Sequence, residues 1–253
     1  MIQTLLRTVS HRPWPLPASP WVMRQTWHDL LFAHWPLPAA TVQALVPPPL
    51  TVETFDGMAW VGVVPFRMSG VVPRGIPALP WLSAFPELNV RTYVTLAGEE
   101  APRPGVYFFS LDAANPVAVA VARWLFRLPY FRARMRLEET EGIIHYHSHR
   151  THRGAPNAEF VATYQATDGI YHSRPDTLEH WLTERYCLYT VDGQGRAYRG
   201  EIHHLPWPLQ PAAADIQVNT MAAAAGLSLP AQPPLCHFAR RLDVLVWPLT
   251  RIT

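Results

Sequence analysis

The chain contains no lysine: all 21 of its Lys and Arg side chains are arginines. A lysine amine can add to a carbonyl substrate, whereas a guanidinium stays protonated and cannot, so Schiff-base chemistry on a lysine is excluded. Cysteine is almost as scarce. Cys187 and Cys236 allow at most one disulfide, and a chain of 253 residues does not depend on one, so both are expected to be ordinary buried thiols. Charged residues make up only 16% and the net charge is +2, so long-range attraction to nucleic acid or anionic lipid is not the organising feature. No apolar run approaches the roughly 18 residues that cross a bilayer. Met1 to Pro20 sets Arg7, His11 and Arg12 among prolines, unlike the continuous apolar core of a signal peptide. A cytoplasmic location without a membrane partner is the expectation. No phosphate-binding glycine loop occurs, and no cofactor is called for.

What is abundant is proline, 27 residues, roughly twice the usual share of about 5%. Short strands and stiffened turns are therefore expected over long helices. With 49% hydrophobic residues the chain can bury a sizeable core. One domain is expected over residues 21–253, preceded by a Pro-rich arm over 1–20 whose residues 11–20 run extended. Residues 29–35 fit a strand or the end of a helix. A short helix is predicted over 38–46, before Pro47-Pro48-Pro49. Strands over 50–55 and 58–68 are read as a hairpin through Asp56-Gly57. Further strands are predicted at 87–94, 106–111, 131–139, 142–150, 158–167, from 186, and at 236–247. Helices are predicted at 115–126, with Asn115 as N-cap, at 176–185 and at 220–227.

Three polar constellations stand out. Glu87, Asn89, Arg91 and Tyr93 alternate with Leu88, Val90, Thr92 and Val94, so one face of that strand is polar and the other is fit to pack under helices. Glu87 and Arg91 lie ~13 Å apart along a strand and would address different parts of one ligand. The arginine fork suits a carboxylate or phosphate, and a glutamate raised in pKa by burial suits proton transfer. A structural ion-pair network or a wet face is the alternative. Secondly, His145, His147 and His149, followed by His152, suggest a metal site by their alternation, or a solvated stripe. Thirdly, Arg132, Arg134 and Arg136 alternate with Ala133, Met135 and Leu137 and are followed by Glu138, Glu139 and Glu141, the pattern of a solvent face and not of a nucleic-acid interface. Ser110, between Phe109 and Leu111, has no nucleophile-elbow setting.

Several blocks in order, Phe32-Ala33-His34-Trp35, Asp56 to Gly62, Glu87 to Val94, Pro104 to Ala113, Leu128-Pro129-Tyr130 and Thr183 to Tyr186, resemble the YqjF-like family of uncharacterised proteins, also called domain of unknown function 2071, over about residues 20–245. That family resembles the acetoacetate decarboxylase superfamily. The resemblance implies an α+β, β-dominated fold: an antiparallel cone-like β barrel with a few flanking short helices around an interior pocket lined by a glutamate and an arginine. It also implies that Leu128-Pro129-Tyr130-Phe131 occupies the segment that carries the reactive lysine in a decarboxylase, with Tyr130 in its place. A Tyr-x-Ser-x-Arg pattern matched by Tyr146, Ser148 and Arg150 turns these residues inward and the histidines outward, so no metal is expected. Tyr130 shares parity with Arg132, and faces inward only if the chain resets after Pro129.

The resulting expectation is a barrel that binds a small organic anion, with Glu87 as the candidate catalytic acid or base and Asn89, Arg91, Tyr93, Tyr130, Tyr146, Ser148 and Arg150 as candidate ligand-binding residues. Any catalysis would be lysine-independent acid/base chemistry, of lyase or hydrolase type, on a small carbonyl or carboxylate compound. The alternative is a non-catalytic structural or sensor protein that forms homo-oligomers. Borohydride reduction in the presence of a ketone is expected to leave no lysine adduct by mass spectrometry; a trapped internal adduct would contradict the exclusion.

Overall fold

The computed structural model describes residues 2–77 and 83–252; the ends of the expected arm and domain at Met1 and Thr253, and residues 78–82, lie outside the described residues. Along the chain run α1 (Ile2–Arg7), β1 (Met23–Pro38), α2 (Ala39–Gln43), β2 (Leu50–Val52), β3 (Met58–Pro73), β4 (Phe85–Leu96), β5 (Gly105–Ala113), α3 (Pro116–Leu125), β6 (Tyr130–Thr140), β7 (Ile143–Arg150) and β8 (Glu159–Ala166). They are followed by α4 (Leu178–Thr183), β9 (Cys187–Val191), β10 (Ala197–His203), β11 (Gln210–Asn219) and β12 (Leu235–Arg251). No described helix is long and apolar enough to cross a membrane.

The twelve strands form one sheet whose pairings close on themselves twice. One ring runs β5-β6-β7-β8-β11-β12-β1-β3-β4 and returns to β5. A second runs β5-β9-β10-β12-β1-β3-β4 and returns to β5. Five strands, β12, β1, β3, β4 and β5, belong to both rings, which is why they carry apolar residues on both faces. Leu31, Ala33, Val61, Val63, Leu88 and Val90 pack with Tyr146, Phe160 and Tyr164 in one core. Leu30, Phe32, Val64, Phe66 and Val244 pack with Trp207 and Val119 of α3 in the other.

The expectation of a wholly antiparallel sheet is corrected at two places. β5 pairs in parallel with β6 and with β9. α3 is the crossover between β5 and β6, and a parallel pair needs such a connection. Asn115 caps α3 as expected, its Oδ1 accepting from Val117 N (3.0 Å) and Ala118 N (3.1 Å). The Asp56-Gly57 turn is present, with positive φ at both residues and reciprocal hydrogen bonds between Phe55 and Met58, but the strand before it pairs with β4 and not with β3. Residues 29–35 are strand. The helix expected at 220–227 is only a 3-10 turn at Ala223–Ala225, and β11 was not foreseen, since its Pro and Ala content has little strand propensity.

The N-terminal segment packs across the domain. It begins with the unforeseen helix α1, whose Leu5 sits against Leu245 and Trp247. Arg12 Nη2 and Trp14 Nε1 both donate to Glu201 on β10, at 3.1 and 2.8 Å. β4, β5 and β9 meet at Gly105, where an added Cβ would come within 2.8 Å of Cys187 O and Sγ. Gly105→Ala is expected to lose about 1–3 kcal/mol of stability in urea unfolding, as overpacked core positions do; a loss below ~0.5 kcal/mol would contradict this close approach.

Candidate functional site

A cavity of about 330 Å³ draws its lining from every strand of the second ring, with Trp27 from β1, Phe66 from β3, Glu87, Asn89 and Arg91 from β4, Phe108 from β5, Leu188 from β9, Ile202 from β10 and Val246 from β12 among its walls. Ala118, Val121, Ala122 and Phe126, in and after α3, cover one side. Gln25, Tyr130, Thr183, Arg185, His204 and Trp207 add to the polar lining.

The β4 alternation explains the first part of the site. Leu88, Val90 and Val94 turn to the core of the first ring, so Glu87, Asn89 and Arg91 necessarily turn to the second. That apolar face packs in a core that holds Tyr146, Phe160 and Tyr164 from strands and Val42 from α2. Glu87 is buried, and its Oε2 accepts the Tyr130 hydroxyl at 2.8 Å. Burial with no cationic partner among the described residues pushes its carboxyl up to about 8, against the lowering effect of that hydrogen bond, and nearby Asp112 adds to the rise. Tyr130 is itself held well above the usual phenol range, by burial first and by Glu87 second. At neutral pH the pair is mainly carboxylic acid and phenol.

Tyr130 reaches the cavity without any reset of parity. Its strand begins beside β5, through Leu111↔Tyr130, and then leaves to pair with β7 from Ala133 onward. The face that Tyr130 shares with Arg132 and Arg134 is roofed at the start of the strand and exposed further along.

The other pole of the cavity holds two guanidiniums. Arg91 Nη2 donates to Tyr93 Oη and to Leu182 O, both at 3.4 Å, and Arg185 Nε donates to Trp181 O at 2.6 Å. Carbonyls at the C-terminal end of α4 thus hold both side chains, and both cations lie within 6 Å of the Tyr93 ring centre, Arg91 at 5.7 Å and Arg185 at 4.9 Å. His34 Nε2 lies 2.7 Å from Tyr93 Oη and fixes that ring from behind. Arg185 Nη1 also donates to Glu53 Oε2, whereas Arg91 has no carboxylate partner among the described residues. Four buried polar atoms on cavity-lining residues have no partner there: Asn89 Oδ1, Arg91 Nε, Arg185 Nη2 and Trp207 Nε1. An unsatisfied buried polar group costs roughly 1–3 kcal/mol, more when charged, so this wall is incomplete as it stands.

The remaining sequence candidates lie elsewhere. Tyr93 supports the guanidiniums but does not line the cavity. Tyr146, Ser148 and Arg150 are buried, with the histidines between them exposed, as the alternation implied. They do not line the cavity, because β7 belongs only to the first ring and its inner face looks into the other core. Tyr146 donates to the backbone carbonyl of Glu87 at 2.7 Å from that side. Arg150 is closed off as an anion binder, since its Nε and Nη2 donate to both oxygens of buried Asp112 at 2.7 and 2.6 Å and Phe131 covers it. Cys187 and Cys236 are free; burial pushes their thiols up to about 12 and 11, which leaves neither a ready nucleophile. Among the described residues no group of three or more His, Cys, Asp or Glu is placed to hold a metal ion.

Arg185, Trp207 and His204 were not singled out by the sequence. They flank β9 and β10 without periodicity, and the one available signal was that Arg185 stands in the Thr183 to Tyr186 block.

Solved structures share this architecture. An acetoacetate decarboxylase-like enzyme from Sphingomonas wittichii RW1 superposes with a TM-score of 0.61 at 14% identity, covering 96% of this chain and 97% of its own. Acetoacetate decarboxylase from Legionella pneumophila gives 0.58 at 14% identity (97% and 93%), and the enduracididine biosynthesis enzyme MppR complexed with pyruvate gives 0.62 at 10% (95% and 93%). The fold is therefore acetoacetate decarboxylase-like and β-dominated. Residues 24–243 match the profile of domain of unknown function 2071, an uncharacterised conserved protein, and the chain is 46% identical over 236 residues to the uncharacterised protein YqjF of Bacillus subtilis (strain 168), covering 93% of this chain and 95% of that one. The chain belongs to this YqjF-like family.

The raised Glu87 carboxyl has a sign that can be checked. A carboxyl whose folded value lies near 8, above an unfolded value of about 4.3, adds stability below the unfolded value and loses it as pH rises from ~4.3 to ~8. Glu87→Gln has no such proton to release. Urea unfolding at pH 5 and pH 8 is expected to show the wild type losing more stability than the variant between the two, and parallel behaviour would contradict a protonated Glu87.

Proposed function

We propose that this protein is a small-molecule-binding barrel protein of the acetoacetate decarboxylase-like kind, that its ligand is an organic anion, and that it works without a Schiff base. Two buried guanidinium nitrogens without a partner among the described residues, Arg91 Nε and Arg185 Nη2, belong to side chains that line the cavity, and they carry this reading. Glu53 pairs with Arg185 and Glu184 accepts from Trp207 N, whereas Arg91 has no carboxylate partner among the described residues, so its guanidinium is the charge on this wall that a bound anion would neutralise. Planar donors of this type suit a carboxylate. The resemblance implies that a decarboxylase of this superfamily carries its reactive lysine where Tyr130 stands here, and this chain has no lysine to substitute for it. The fold is inherited without that chemistry.

Acid–base chemistry in such a site runs through Glu87. A buried carboxylic acid near neutral pKa gives or takes a proton readily, and the Tyr130 hydroxyl holds its Oε2 in place. Any reaction would thus be of lyase or hydrolase type on a carbonyl or carboxylate compound. A non-catalytic structural role with an interior filled by its own side chains is less well supported, because the cavity has room and unsatisfied donors.

Differential scanning fluorimetry with matched pairs of organic acids and their neutral amides tests the reading. A binding acid at a hundred times its Kd adds about 2.7 kcal/mol, or several degrees in Tm for a chain of this size. Acids are expected to stabilise where amides do not, and Arg91→Gln to remove the difference. Equal shifts from acids and amides would contradict an anion site.

A further inference from the structure

The cavity is far more apolar than a site for a very small, polar acid needs to be. Apart from the guanidinium pole, the Glu87–Tyr130 pair and a few single polar groups, its walls are aliphatic and aromatic, among them Trp27, Leu30, Phe66, Phe85 and Phe126. Its 330 Å³, at the ~30 Å³ a water molecule occupies in the liquid, holds on the order of eleven non-hydrogen atoms. A two- or three-carbon acid anchored on the arginines would leave most of that volume without contacts, and a dry wall facing a void forfeits its dispersion energy.

We propose that the ligand is a monocarboxylate with an apolar body of roughly six to nine carbons. The carboxylate lies at the pole formed by the Arg91 and Arg185 guanidiniums, and the body runs along the aromatic wall beneath α3. This rests on the anion reading above and adds the ligand class. Three features place the two ends. The cations are gathered at one pole, where the α4 carbonyls and the Tyr93 ring hold them. Glu87 lies ~13 Å along β4 from Arg91 and is mainly uncharged at neutral pH, so the far end presents no second charge to bind a dicarboxylate. α3 contributes only Ala118, Val121 and Ala122 to the lining, small or apolar side chains that suit hydrocarbon.

The test is isothermal titration of the full chain with acetate, butyrate, hexanoate, octanoate and dodecanoate, alongside 1-octanol. Affinity is expected to rise about fourfold per methylene from butyrate to octanoate, as buried CH₂ groups give, and to level off or fall by dodecanoate. Octanol is expected to bind at least tenfold more weakly than octanoate. Equal affinity for acetate and octanoate would overturn the apolar-body inference and leave the anion site standing. Equal affinity for octanoate and octanol would instead overturn the anion site beneath it, and no binding by any acid in the series would overturn the proposal itself. Ala122→Phe, half-buried on α3, provides an independent check. It is expected to shift the optimum to a shorter acid, and an unchanged optimum would contradict a body lying under α3.

Discussion

Strand β4 is shared between two closed circuits of strands, so both of its faces are buried while only one of them is apolar. Everything at the site follows from that placement. Leu88, Val90 and Val94 fill the core of one circuit, and the pleat then forces Glu87, Asn89 and Arg91 into the other. A polar row buried in this way must be satisfied by the protein, neutralised by a proton, or completed by something bound. The three residues answer differently. Burial holds the Glu87 carboxyl above its usual range while its Oε2 takes the Tyr130 hydroxyl, and among the described residues Arg91 has no carboxylate partner and Asn89 Oδ1, between them, no hydrogen-bond partner.

Two buried arginines, Arg150 on β7 and Arg91 on β4, show how selective this is. Arg150 projects into the first circuit and is saturated by Asp112 through two short parallel bonds, a closed structural pair. Among the described residues Arg91, which projects into the second, makes two long bonds, to a phenol and a carbonyl. Removing either partner of the first pair would strand a buried charge, with a cost of several kcal/mol. The second arginine is the one that a ligand can still serve. Its neighbour Arg185 is half satisfied, by Glu53 and Trp181 O, and supplies a second free donor on the same wall.

Much of this was legible in the residues. The two-residue period of β4 set out its faces, Asn115-Pro116 marked the start of α3, and the alternation in β7 set His145, His147 and His149 outside. What period alone does not reveal is which enclosed space an inward face looks into. Tyr146, Ser148 and Arg150 point inward as read, but into the first circuit, whereas the cavity is lined by the strands of the second. Tyr130 shares a face with exposed Arg132 and is nevertheless covered, because its strand changes neighbours after three residues. Arg185 and Trp207 sit in segments without periodicity, so only the assembled fold brings them to β4. β11 escaped notice for a simpler reason: Gln-Pro-Ala-Ala-Ala is poor strand sequence that pairing with β8 overrides.

The absence of lysine thus has a structural counterpart. The likeness to acetoacetate decarboxylases extends to the whole course of the chain, and at the position that the resemblance assigns to the amine stands Tyr130, bonded to a protonated Glu87. In the proposed function, the remaining polar groups offer charge and hydrogen bonds to an anion in place of a covalent tether. A crystal structure grown with octanoate tests this most directly. The account predicts the carboxylate at the Arg91 and Arg185 guanidiniums with its chain under α3; a carboxylate seated instead on Glu87 and Tyr130, or an empty cavity at saturating octanoate, would contradict it.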